Sequence, residues 1–125
     1  MNLQDQIKTA IGSHGLWKAR LRAAITSASS EFSPAIVRKD DQCDFGQWLR
    51  SGSDPSLRGS RQMNRCAELH RQFHEAAAKV LALAVEGKKE AAQQAMSPAS
   101  EFAKVSAALT TAMREWSGSA SKQVA

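Results

Sequence analysis

The chain has 125 residues, no tyrosine, three prolines and 42% apolar residues, many of them alanine. That length makes one domain with a real core, and the abundance of good helix formers makes the class all-α. The formal net charge of +5 does not point to nucleic acid, because the basic residues are scattered among carboxylates with no run of five like charges.

The start, Met1-Asn2-Leu3-Gln4-Asp5, lacks the apolar core of a signal peptide. No apolar run approaches the ~20 residues that a membrane span needs. A cytoplasmic protein is expected, and there two cysteines, Cys43 and Cys66, read as metal ligands or redox groups sooner than as a disulfide.

The first predicted helix runs from Asn2 to about Ser29. Leu3, Ile7, Ile11 or Ala10, His14, Trp17, Leu21 and Ile25 or Ala24 recur at spacings of three and four, which is one face of a helix. His14 therefore lies on an apolar face, where its ring nitrogens need partners. Ser33-Pro34 breaks the pattern, and residues 30–39 read as a connector.

A short helix is expected from Cys43 to about Arg50, capped by Asp40 or Asp41. Phe45 and Trp48 stand three apart and share a face, so their main role is to pack the helix down. Gly46 allows a close backbone approach. Cys43 sits at the positive end of the helix dipole, which favours thiolate. Gly52 and Pro55 then end this helix and open the next turn.

The third helix starts between Leu57 and Arg61 and runs to about Glu86. Its inner face is Met63, Cys66, Leu69 or His70, Phe73, Ala77, Val80 or Leu81, and Ala84. His70 and His74 stand four apart, so they project from one side. Gly87 ends this helix in a tight reversal. The fourth runs from Lys88 to Trp116, with Ala91 or Ala92, Ala95, Phe102, Val105, Leu109 and Met113 inward. Pro98 predicts a kink or break near Met96-Ser97. Residues 117–125 are small and polar and read as a disordered tail beyond the domain of residues 1–116. The fold class is all-α: an antiparallel four-helix bundle with an extra short helix carrying the cysteine motif.

All three histidines, His14, His70 and His74, fall on inward faces. With Cys43 they make three imidazoles and one thiolate, a closed set suited to zinc or copper and unsuited to magnesium or calcium. A catalytic zinc keeps one position open for water, and no His-Glu-x-x-His arrangement is present, so an enzyme is not expected. Cys66 reads first as a small buried hydrophobe, and otherwise as an alternative ligand or a thiol that traps oxidised Cys43. Asp44 and Glu75 adjoin ligand candidates and read either as solvated charge or as acceptors for histidine N–H groups.

Cys43-Asp44-Phe45-Gly46-Gln47-Trp48-Leu49 resembles the Cys-x-Phe-Gly-x-Trp-Leu signature of the bacterial chemoreceptor zinc-binding (CZB) domain. His14-Gly15-Leu16-Trp17 and Leu69-His70-Arg71-Gln72-Phe73-His74 resemble that family's first-helix histidine and its histidine pair. The likeness covers about residues 5–115. It implies one Zn²⁺ per chain, held by His14, Cys43, His70 and His74. It also implies a sensor or regulatory role, often as a homodimer, acting on a signalling partner such as a chemoreceptor or a diguanylate cyclase. In that family the metal-bound cysteine is proposed to respond to oxidants such as hypochlorous acid. No output domain is attached here, and Met1 with the fading tail favours a free-standing protein. A structural zinc bundle, or a zinc buffer without switching, is the competing expectation.

Overall fold

A computed structural model describes residues 3–41, 43–52 and 60–124. Every regular element among them is helical: α1 Leu3–Ser27, α2 Pro34–Val37, α3 Asp44–Gln47, a π-helical turn Trp48–Gly52, α4 Arg61–Val85, α5 Lys89–Ala95 and α6 Glu101–Val124. The result is the expected helical bundle. Its walls are α1, α4 and α6, with the shorter α5 as the fourth member.

The apolar faces meet as their spacing predicts. α1 buries Ile7, Ala10, His14, Leu21, Ala24 and Ile25. α4 buries eleven residues, from Met63 to Ala84. The core between the walls is closed by Phe102, Val105, Leu109, Ala112, Met113 and Trp116 of α6. Such a stripe is the main stabiliser of helices in a bundle, since propensity alone leaves them marginal.

Local signals set most of the ends. Ser60 caps α4, its Oγ accepting from the Met63 N–H at 3.1 Å. The other end closes through Gly87, at φ +79°. There Lys88 N–H donates to the Leu83 carbonyl and Gly87 N–H to the Ala84 carbonyl, the paired bonds of a Schellman motif. The expected break at Pro98 separates α5 from α6, and Ser100 Oγ accepts from the Ala103 N–H at 3.1 Å to restart the helix.

Three local expectations change, and a fourth falls outside the described residues. Residues 30–39 contain α2, with Pro34 at its first position and Ser33 extended before it. The cap of α3 is Cys43 itself and not Asp40 or Asp41: its sulfur accepts from the Gly46 N–H at 3.4 Å. The roles expected of Pro55 and of residues 57–59 lie outside the described residues. α6 runs past Trp116 to Val124, through residues expected to form a disordered tail. No proline interrupts that stretch, and one glycine costs only about 1 kcal/mol in a helix.

Candidate metal centre

Three backbone arrangements bring four donors to one point. The middle of α1 supplies His14. One turn of α4 supplies His70 and His74. The chain between α2 and α3 folds back to supply Cys43. Their ligand atoms all lie within 4.8 Å of one another.

The His70 and His74 Nε2 atoms are 3.0 Å apart, as the four-residue spacing predicts. Cys43 Sγ lies 3.2 Å from His70 Nε2 and 3.6 Å from His74 Nε2. A tetrahedral ion with sulfur at ~2.3 Å and nitrogen at ~2.0 Å would hold its nitrogens roughly 3.3 Å apart and its sulfur roughly 3.5 Å from each. The cluster has that scale.

The ring orientations fit as well. His14 Nδ1 stands 2.8 Å from the Ala10 carbonyl oxygen, and His74 Nδ1 stands 2.9 Å from that of Val37. A carbonyl only accepts, so each Nδ1 carries the proton and each Nε2 keeps its lone pair for the cluster. His14 Nε2 is buried without a hydrogen-bond partner. An orphaned buried acceptor is costly, and a cation at this point would give it a partner.

Burial also sets the charge states. Desolvation and the neighbouring His74 lower His14 to about 4. Desolvation, His74 and His14 lower His70 to about 2. His74 is lowered by burial too, against the pull of its bond to Val37. All three imidazoles are therefore neutral and ready to donate at neutral pH. Cys43 differs from its expectation. Burial pushes its thiol up, and the Gly46 and Phe45 amides recover only part of that. A one-turn helix has too little dipole to outweigh desolvation.

The motif around Cys43 is packed as its spacing predicts. Phe45 is buried and stacks on Trp48 at 5.9 Å, with its other contacts to His70 at 5.1 Å and His14 at 6.1 Å. Gly46 is required: a Cβ there would lie 1.7 Å from the Asp40 carbonyl oxygen. Trp17 packs on Phe32 beside the cluster, at 5.1 Å.

Asp44 and Glu75 do not hold the histidine rings. Asp44 is exposed, and Glu75 pairs with Arg71 at 2.7 Å on the outer face of α4. For His14 and His74 the ring partners are backbone carbonyls, one of them in α2, and no side-chain pattern announces those; His70 Nδ1 is buried without a hydrogen-bond partner among the described residues. Cys66 is fully buried outside the four-donor group, and desolvation raises its thiol to about 11. It is a core residue. Trp116 was not foreseen as a contact of the motif; its ring lies 5.9 Å from Trp48.

Among the described residues, no helix is long and apolar enough to cross a membrane. Comparison with curated proteins finds no match, and comparison with solved structures finds none either. The family model of the chemoreceptor zinc-binding domain matches residues 14–81, a span that opens on His14 and contains Cys43, His70 and His74. It covers more than half of the chain, and the chain belongs to the chemoreceptor zinc-binding domain family.

Proposed function

We propose that His14, Cys43, His70 and His74 bind one Zn²⁺ and that the bound state of Cys43 is the signal this module passes to a signalling partner. The observation that carries the reading is the convergence of three imidazoles and one thiol within 4.8 Å. Four protein donors leave no open position for a substrate water, so the role is regulatory and not catalytic. The ion would supply a positive charge that holds the Cys43 thiolate against the histidine wall.

The chain's own groups set the terms of binding. The imidazoles are already neutral, so Cys43 is the donor that must release a proton. Losing the thiolate, to zinc depletion or to an oxidant such as hypochlorous acid, would untie α3 from α1 and α4. Trp48 would carry that change to Trp116 and so to α6. The cell compartment is cytoplasmic in this reading, consistent with two free cysteines. The acting form is a homodimer and its target a chemoreceptor or diguanylate cyclase, as in the family's usual setting.

Metal analysis of protein purified without added metal is the test. One zinc per chain is expected, lost in Cys43→Ala and in His74→Ala; two metals per chain, or none, would sink the reading. A structural or buffering zinc is separated by hydrogen exchange over residues 38–52. Faster exchange on zinc removal supports switching, and unchanged exchange leaves only a structural role.

A further inference from the structure

The four-donor cluster forms one end of a larger cavity, into which His14, Cys43 and His74 face, and most of that space is not needed for zinc. Only the place of Cys43 in this inference rests on the proposed metal site. The cavity, of about 390 Å³, opens between α1 and the chain from Phe32 to Phe45. That volume is in the range of small-molecule sites, roughly 300–1,000 Å³. Its walls are unlike a polar surface cleft. Trp17, Phe32, Ile36 and Val37 line it, and Ile36 is left 49% exposed at the rim.

The cavity is electrically lopsided. Arg20 and Lys39 line it against one carboxylate, Asp44. The Arg20 guanidinium lies 5.1 Å from the ring centroids of both Trp17 and Phe32, held by cation–π contact. No carboxylate pairs with Arg20 or Lys39 among the described residues. Arg20 is exposed, and its two ring contacts leave the guanidinium on the cavity wall without a carboxylate partner among the described residues, open to a bidentate anion contact. Arg20 is six residues beyond His14 on α1, about 9 Å along the helix axis. Arg20 and the His14 end of the cavity are thus separated by roughly the length of a small two-ring molecule.

We propose that this cavity binds a small organic anion, with a carboxylate or sulfonate on Arg20 and an aromatic body against Trp17, Phe32 and Ile36. The Arg20 contacts to Trp17 and Phe32 put charge and aromatic surface side by side, and Asp44, beside Cys43, disfavours the anionic group there. The bound molecule would lie across the approach to Cys43.

Anilinonaphthalene sulfonate tests this on the full zinc-loaded chain, with uncharged phenylnaphthylamine as its neutral partner. Saturable binding of one sulfonate per chain is expected. Arg20→Gln should weaken the sulfonate about tenfold and leave the neutral probe unchanged, since it removes a charge-assisted contact. Phe32→Ala should weaken both probes. Absence of saturable binding would overturn the proposal, as would equal loss of both probes in Arg20→Gln. An affinity that falls as protein concentration rises would overturn it too, because a second copy of the chain would then be the occupant. Zinc measured in the same samples keeps the two readings apart: one zinc per chain without sulfonate binding defeats this proposal alone.

Discussion

His14, His70 and His74 stand on helices of 25 residues each, whereas Cys43 caps a helix of four residues followed by one π-helical turn. The first region is held by long buried stripes. The second is held by Phe45, Leu49 and the half-buried Trp48. The histidine wall is neutral and preformed, while the thiol must lose a proton to join it. Local opening free energies follow buried contact, so the Cys43 element is expected to open before the histidine wall. Under the proposed function, a module built this way would release its sulfur donor without unfolding its nitrogen donors.

Acid should break the comparison most severely, because it attacks the wall and not the movable element. Unfolded histidine titrates at 6.5, while folded His14 titrates at about 4 and folded His70 at about 2. The unfolded state therefore takes up protons that the folded state refuses. Stability of the metal-free protein is full above pH 6.5 and declines as pH falls through the window toward those lower values. The loss by about pH 5 is on the order of 4 kcal/mol from His14 and His70 together. Denaturant melts of chelator-treated protein at neutral pH and near pH 5 measure it. A flat profile would mean that water reaches the wall and that the two regions are equally open.

Gly46 offers the opposite cut, aimed at the movable element alone. A methyl group there meets the Asp40 carbonyl oxygen at 1.7 Å and its carbon at 2.8 Å, both backbone atoms that cannot rotate away. Gly46→Ala should force residues 40–46 apart and lower zinc affinity about 100-fold, the scale at which misplaced supporting groups act. Far-ultraviolet circular dichroism should stay near the parent value, because the three walls do not depend on this contact. Gly15→Ala is the matched control on α1, where nothing lies within 4 Å of the added carbon. It should leave zinc binding unchanged and gain up to about 1 kcal/mol of stability. Equal zinc affinity in both variants would show that the cysteine element is not seated as described.

The same contrast explains what was legible in the sequence. Positions governed by helical period could be read directly: His14 on the inner face of α1, His70 and His74 one turn apart, Phe45 stacked on Trp48. Cys43 could be placed by its aromatic neighbours. The partners of the histidine rings could not, because Ala10 and Val37 act through backbone carbonyls and any residue carries one. α2 was hidden by its four-residue length, too short for a period to show. The charge of Cys43 was misjudged for a physical reason. Its sequence neighbours report a helix end, but the desolvation that outweighs the dipole comes from chains distant in sequence.

Cys66 supplies the smallest expected effect and the sharpest test of which thiol matters. It sits one turn before His70 on α4, so sequence distance alone would let it serve as a substitute ligand. Burial raises both thiols, but Cys66 is fully buried in the core and outside the four-donor group, whereas Cys43 is half-buried and stands against the imidazoles. Thiolate is the form that binds metal or reacts, and only Cys43 has neighbouring imidazoles with which to share a cation that would favour it. Cys66→Ala removes one buried sulfur and should cost about 1 kcal/mol of stability, the low end of truncation in a core. Zinc should remain at one per chain, with affinity within about threefold of the parent, as expected for a site that shares no ligand with the change. Iodoacetamide should alkylate Cys43 in the metal-free protein and leave Cys66 intact until the protein unfolds. Loss of zinc on replacing Cys66 would mean that α4 supplies sulfur as well as nitrogen, and the division between a fixed histidine wall and a movable thiolate would not hold.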